Sequence, residues 1–437
     1  MNNYKKRRDE LCQGLDANSV IIVVGNTAKS RSKNIQYHFR PDNDLFYLTG
    51  FVEPNAVAVI RPMHSDCFTM FLRANDKSAE VSFGERVGLA RVKDKFGVDL
   101  AFDIEEIDQQ LPKLLEDRKN LYFLDEQGIY LSHIFNWANK QRRSTRFDVI
   151  KQYRNILSLQ SHLHNKRRVK SEHEVEQIRQ AVKASVSGHK LMMSMCSPGM
   201  NELQLSAIFD REIANFGCRE VSYPSIVASG NNACCLHYEE NNDELIDGNL
   251  VLIDAGAEYQ FYCADITRTF PVNGKFSEPQ KQIYQVVLNA LDAAIAVVKP
   301  GACWSSIYYA CEVELTKGLI DLGIISGSID DAMEKGLHKE FSVHKTGHWL
   351  GLDVHDVGSY HNEDGNWVKL EQNMVFTIEP GLYFPENCQS VDAKWRGTGV
   401  RIEDDILVTS EGAENLSEAI PRTVNEIESI MKNSSVP

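Results

Sequence analysis

Leu250-Val-Leu-Ile-Asp254-Ala-Gly-Ala-Glu-Tyr-Gln-Phe-Tyr-Cys-Ala-Asp265-Ile-Thr-Arg-Thr-Phe270 reads as two apolar strands joined by a tight reversal, with one aspartate on each. With Tyr259-Gln260 as the turn, Asp254 stands directly across from Asp265 on one face, their Cβ atoms roughly 5 Å apart. Like charges in that position repel unless something neutralises them. Two aspartates pointing into solvent would be the ordinary outcome. Against it, Asp254 closes the apolar run Leu250 to Ile253, and Asp265 follows Tyr262-Cys263-Ala264. Parity alone leaves the two outcomes even.

Two more carboxylates sit in apolar strand contexts further along. Glu379 ends Met374-Val-Phe-Thr-Ile and is followed by Pro380-Gly381, which stops the strand. Glu403 lies in Gly399-Val-Arg401-Ile-Glu403, where strand alternation puts Arg401 and Glu403 on one face. Four carboxylates converging in such a core would cost many kcal/mol, or force protonation, without cations to balance them. Two divalent ions supply the balance, and a water shared between them ionises near neutral pH and becomes a nucleophile. Oxygen-dominated ligation with one imidazole favours manganese, cobalt, iron or zinc, with magnesium as a further candidate. The imidazole is expected from His348, in His344-Lys345-Thr-Gly-His348-Trp-Leu-Gly-Leu-Asp-Val-His355-Asp356. Three histidines within that run, beside glycines and the alternating Leu350, Leu352 and Val354 of an expected strand, favour a site over satisfied structural groups. His237, after Cys234-Cys235-Leu236, reads by itself as an ordinary loop histidine.

The rest of the chain frames these segments. At 437 residues it exceeds one ordinary core, and two or three domains are expected. Ser19 to Gly25, Ala56 to Arg61 and Lys119 to Asp125 are strand-like runs, and Asp103 to Glu116 carries helical spacing, so residues 1–165 read as a small α/β domain. Asn165-Lys-Arg-Arg-Val-Lys170 reads as a solvated linker. From Ser171, which with Glu174 makes a capping-box signature, residues 171–437 show helices, then strands, an α+β pattern. Helices are expected near Glu278 to Val298 and Cys303 to Leu322, and a short one from about Val424. A net charge of −14 makes the chain a poor general binder of nucleic acid or anionic membrane. No apolar run has the length of a membrane span, and the basic Lys5 to Arg8 leads into no signal-type apolar core. Ten scattered cysteines without CxxC pairs read as reduced thiols, which makes the cytoplasm the expected location.

Together the motifs resemble the metal-dependent aminopeptidase P family, over nearly the whole chain. Asp44-Leu-Phe-Tyr-Leu-Thr-Gly50-Phe-Val-Glu-Pro is similar to its N-terminal domain, and Ile253 to Phe276 to its first metal segment. His348-Trp-Leu-Gly-Leu-Asp-Val-His355-Asp-Val-Gly, Thr377-Ile-Glu379-Pro-Gly and Gly399-Val-Arg401-Ile-Glu403-Asp-Asp supply the others. The resemblance implies a pita-bread catalytic domain preceded by a creatinase/aminopeptidase P-type α/β domain. It implies two divalent ions, manganese first with cobalt, zinc or iron as alternatives. Asp254 would hold one ion, Asp265 and Glu403 would bridge, and His348 and Glu379 would hold the second. Glu379 would also steer a metal-bridging hydroxide and shuttle its proton. His355 would bind the substrate carbonyl, His237, His344 and Tyr383 would line the substrate pocket, and Arg401 would orient a bridging ligand.

The implied reaction is hydrolysis between an N-terminal residue and a following proline, by a homo-oligomer (dimer or tetramer). Prolidase, confined to dipeptides, and a non-enzymatic pita-bread peptide-binding module are the alternatives. The chain departs from the family in two places that bear on specificity: Lys345 falls where glycine is common, and Ser82 where a bacterial member has tryptophan.

Overall fold

The computed structural model describes residues 2–144 and 155–432, in two compact units, Met1–Asn165 and Lys166–Pro437. The first is organised by strand β1, Ser19–Val24, whose six residues are all buried. A run of apolar, largely β-branched side chains with both faces covered belongs in the middle of a sheet. It lies there: β2 (Val57–Ile60), β3 (Phe68–Leu72), β4 (Leu100–Asp103), β5 (Asn120–Leu124) and β6 (Asn155–Ser158) complete the order β4-β3-β2-β1-β5-β6. The β1–β5, β5–β6 and β3–β4 pairs are parallel, and β2 runs against both neighbours. The three expected strands are present; β3, β4 and β6 were not anticipated. On one face Leu111, Leu114 and Leu115 pack with Ile134 and Trp137 against Val20, Ile22 and Val24. The helix Asn43–Thr49, capped by Asp42 and closed by Gly50 at φ 70°, buries Asp44, to which the His164 Nε2 is hydrogen-bonded at 2.8 Å.

The second unit has the expected α+β character. Its long helices are Glu172–Met195, Glu202–Ala214, Glu278–Ala296 and Trp304–Asp321, with the short Val424–Lys432 near the end. Ser171 and Glu174 close the anticipated capping box, Ser171 N donating to Glu174 Oε2 at 2.9 Å. The strands are β7 (Ile226–Ser229), β8 (Leu250–Asp254), β9 (Ala257–Tyr259), β10 (Tyr262–Cys263), β11 (Thr267–Pro271), β12 (Val375–Ile378), β13 (Gly381–Phe384), β14 (Thr398–Arg401), β15 (Asp404–Val408) and β16 (Ala413–Asn415). They form small antiparallel groups, β7-β8-β11, β12-β15-β16 and β13-β14. Among the described residues no helix is long and apolar enough to cross a membrane.

Three expectations are corrected. The reversal is at Gln260-Phe261, both left-handed at φ 50° and 70°, so Tyr259 pairs with Tyr262 and Asp254 faces Thr267 rather than Asp265. Two left-handed residues make a turn that follows the strand twist, but neither residue type advertises it. Leu350 to Val354 do not form a strand: after the bridge of Trp349 to Phe376 the chain bends away, with Gly351 N donating to Asp353 O at 3.1 Å. The basic linker is not a solvated connector. Residues to Arg168 extend the helix Gln160–Arg168, and Arg167 and Lys170 are each 2% exposed. Arg167 Nη2 lies 2.6 Å and Lys170 Nζ 3.0 Å from the buried Asp356 carboxylate.

Candidate metal centre

The corrected turn shifts the hairpin register by two positions, and two is the period of side-chain alternation. Asp254 and Asp265 therefore stay on one face, as diagonal rather than direct neighbours. Ala255 N donates to Ile266 O at 3.0 Å and Ala264 N to Ala257 O at 3.1 Å, which sets Asp265 across from Gly256. A Cβ on Gly256 would lie 1.8 Å from Ala264 O, so the strands close here only around a glycine. The two carboxylates meet through Tyr223, whose hydroxyl is 2.5 Å from Asp254 Oδ1 and 2.5 Å from Asp265 Oδ1.

His348 and Glu379 arrive together because Thr346 to Leu350 run beside β12. Glu379 N donates to Thr346 O (2.8 Å), Thr377 N to His348 O (2.9 Å) and Leu350 N to Val375 O (3.0 Å). A Cβ on Gly347 would stand 2.0 Å from Thr377 O, so this approach also needs glycine. His348 Nδ1 lies 3.0 Å from Trp349 O, an acceptor only, so Nδ1 carries the hydrogen. That turns Nε2 toward the acids, 3.2 Å from Asp265 Oδ2 and 3.5 Å from Glu379 Oε1. Glu403 joins from the segment between β14 and β15. Ligand atoms of Asp265, His348 and Glu403 all lie within 4.8 Å of one another.

The electrostatics call for positive charge. Burial, reinforced by the neighbouring acids, lifts the Glu403 carboxyl well above its ordinary range. Burial likewise raises Asp265, against the pull of His348, and takes Glu379 up to about 7. Burial opposes protonation of His348, yet Asp265 and Glu379 outweigh it and hold the imidazole up at about 9. Protons thus crowd in where cations would serve. Buried carboxylate oxygens around one imidazole nitrogen, with its other nitrogen tied to a carbonyl, form a donor set suited to hard or borderline divalent ions.

The supporting residues are tightly tied. Arg401 Nη2 donates to Asp254 Oδ2 (2.6 Å), Nη1 to Tyr383 OH (2.9 Å) and Nε to Thr267 Oγ1 (3.2 Å). Thr267 in turn donates to Glu403 Oε2 at 2.7 Å, so Arg401 and Glu403 are joined through a hydroxyl. His344 Nε2 lies 2.8 Å from Tyr383 OH, and its Nδ1 is 3.5 Å from Glu379 Oε2. Burial, then Arg401, lowers His344 to about 4. The His355 ring stands 4.3 Å from that of His348, centre to centre, and burial lowers its pKa. The loop carrying it is anchored by Asp356 on Arg167 and Lys170. His237 is exposed, in the loop after the short helix Gly230–Cys234, near enough that its charge acts on both His344 and His355.

All of the expected site residues thus gather in the second unit. Tyr223, Thr267 and Asp405, whose Oδ2 accepts from Asp265 N at 3.1 Å, were not singled out from the sequence. Alternation from Asp265 would have reached Thr267; nothing in Ser222-Tyr223-Pro224 marks the tyrosine.

Residues 176–410 match metallopeptidase family M24, and residues 4–122 match the aminopeptidase P N-terminal domain. The chain is 38% identical over 431 residues to the Xaa-Pro aminopeptidase of Escherichia coli strain K12, covering 98% of this chain and 97% of that one. Against the Xaa-Pro aminopeptidase of Haemophilus influenzae it is 39% identical over 434 residues, covering 98% and 96%. Among solved structures it is similar to Pseudomonas aeruginosa aminopeptidase PepP, with a TM-score of 0.96 at 39% identity, covering 99% and 98%. It is also similar to zinc-substituted E. coli aminopeptidase P in complex with product, with a TM-score of 0.95 at 37% identity, covering 100% and 99%.

Proposed function

The chain belongs to metallopeptidase family M24, and from that membership we propose that it removes one N-terminal residue from peptides whose second residue is proline. The observation that carries the reading is the convergence of Asp265, His348 and Glu403 ligand atoms within 4.8 Å, with Glu379 3.5 Å from the same imidazole nitrogen. Asp254 would help hold one ion, His348 and Glu379 the other, and Asp265 and Glu403 would contribute to both. When bound, two divalent cations would balance these carboxylates and supply Lewis-acid activation of water and of the scissile carbonyl.

The chain's own residues do the rest. Glu379 takes a proton from water and returns it to the departing proline nitrogen. His355, kept neutral by burial, donates a hydrogen bond to the substrate carbonyl as negative charge develops there. His237, His344 and Tyr383 border the proline ring. Recognition must rest on that ring, because a bond to proline nitrogen has no N–H to read. Arg401 holds Asp254 and Tyr383 in place together.

The donor set supports manganese as the resident metal, and the scattered thiols a reducing, cytoplasmic setting. Val81 and Phe83, 89% and 80% exposed on one short helix, support a homo-oligomer. The reading is tested with a peptide beginning Arg-Pro-Pro, followed by mass spectrometry. Manganese-loaded protein is expected to release the first arginine alone, and chelation to stop it. Cleavage confined to Xaa-Pro dipeptides would establish a prolidase instead. A peptide-binding module without turnover is disfavoured because all five ligand positions are filled by competent side chains.

A further inference from the structure

Beside the metal centre lies a cavity of about 510 Å³, lined by Tyr308, Glu312, His338, Lys339, His344 and Lys345 among others. His344 belongs to both places: its ring nitrogens face Glu379 and Tyr383 on the centre side, and the residue also lines this cavity. The Tyr308 hydroxyl donates to Gly347 O at 3.2 Å, tying the cavity to the segment that carries His348. His338 is 1% exposed, and among the described residues neither of its ring nitrogens has a partner at normal hydrogen-bond distance, the Glu312 carboxylate standing 3.6 Å from Nε2.

The charges in this cavity do not cancel. Glu312 Oε1 lies 3.6 Å from His338 Nε2 and 4.0 Å from Lys339 Nζ, so this lining acid already has an ammonium group beside it. Lys345 is exposed and makes no ion pair among the described residues, and its backbone carbonyl is engaged by His344 Nδ1 at 2.9 Å. The backbone is therefore anchored while an exposed ammonium group is left over for something else.

We propose that the cavity is a subsite for the part of the peptide that follows the proline, and that Lys345 there recognises a substrate carboxylate. This rests on the aminopeptidase reading above: with the proline ring bordered by His344, the next residue leaves the centre past that imidazole. The carboxylate has two sources, the C-terminus of a tripeptide or an acidic side chain at the third position.

Three peptides separate them: Ala-Pro-Ala amide, with neither; Ala-Pro-Ala, with a free C-terminus; and Ala-Pro-Glu amide, with the side chain alone. Manganese-loaded protein is expected to prefer at least one carboxylate peptide over the neutral amide by about fivefold in kcat/KM, the scale of one exposed ion pair. The difference should sit in KM, because the contact is remote from the reacting bond. Lys345→Ala should bring the ratio to about one, and Lys345→Arg should keep it. For the unaltered protein, raising salt from about 0.05 M to 0.5 M should erase the preference, a readout independent of whether any variant folds. Equal kcat/KM for all three peptides, or a preference that survives Lys345→Ala or high salt, would overturn the subsite and leave the aminopeptidase reading standing. No cleavage of any of the three would overturn that reading and the subsite with it.

Discussion

Replacing Asp265 with asparagine removes one charge from the carboxylate group while keeping its shape. Asp265 is 5% exposed, and its ligand oxygen lies within 4.8 Å of that of Glu403. At an effective dielectric near 20, two unit charges at that separation would repel by about 3.5 kcal/mol, and in the metal-free protein a proton retained on the raised Glu403 carboxyl relieves most of it. Asp254, which shares the Tyr223 hydroxyl with it, adds repulsion, and His348 Nε2 at 3.2 Å adds attraction on the same scale. The substitution deletes both terms at once, and the amide oxygen still accepts from Tyr223. The metal-free variant should therefore differ from the metal-free parent by less than about 2 kcal/mol. The loaded proteins should differ sharply. A bound ion at a hundredfold excess over its Kd stabilises the parent by about 2.7 kcal/mol, which in a domain this size raises Tm by roughly 5–10 °C. Asp265→Asn should lose most of that gain, and at least a thousandfold in turnover, about 4 kcal/mol of barrier. Calorimetry in chelator and in manganese, with far-UV circular dichroism to show the fold and a prolyl tripeptide to report activity, measures each quantity. A variant that gains as much Tm on manganese addition as the parent would refute the assignment of Asp265.

Two further outcomes follow from buried titratable side chains that are not themselves proposed ligands. Arg401→Leu strands the buried Asp254 Oδ2 and Tyr383 OH without their donor, and urea unfolding should show a loss of about 3–5 kcal/mol, with the manganese response weakened as well. His189 is fully buried, its Nε2 2.9 Å from Ala255 O, and burial lowers its pKa to about 4 from 6.5. Between those values the unfolded chain binds a proton that the folded chain refuses, so stability rises with pH across the window and is lost as pH falls. The loss from pH 7 to pH 5 should be about 2 kcal/mol, and His189→Gln, which can keep the hydrogen bond, should remove that share of the slope. Equal slopes for variant and parent would contradict the assignment.

The parts of the site that could be read in advance share a physical cause. Asp254, Glu379 and Glu403 each follow or interrupt a run of apolar strand residues, where an acid is expensive unless it has a task. Parity along a strand survives an error of two residues, which is why Asp254 and Asp265 share a face although the turn was placed one residue early. What could not be read are contacts made by irregular backbone. Tyr223 reaches both aspartates from a stretch with no periodicity, and the left-handed Gln260-Phe261 turn uses residues that seldom occupy that region.

The basic connector shows the same limit from the other side. A run of Lys and Arg between two domains is ordinarily solvated, because charge is costly to bury alone. Here Asp356 sits between Arg167 at 2.6 Å and Lys170 at 3.0 Å, and the three are buried together. Asp356 is one residue beyond His355, and Asp353, two residues before it, also accepts from Arg167 at 2.8 Å. The loop expected as a strand therefore needs no strand pairing to be held. Its position is set by ion pairs to a segment nearly 190 residues away in the chain, a contact that local patterning cannot carry. That anchoring is also what makes a loop histidine usable: an imidazole meant to meet a carbonyl as charge develops must already be in place, and fixed charge on both sides of His355 restrains it before substrate arrives.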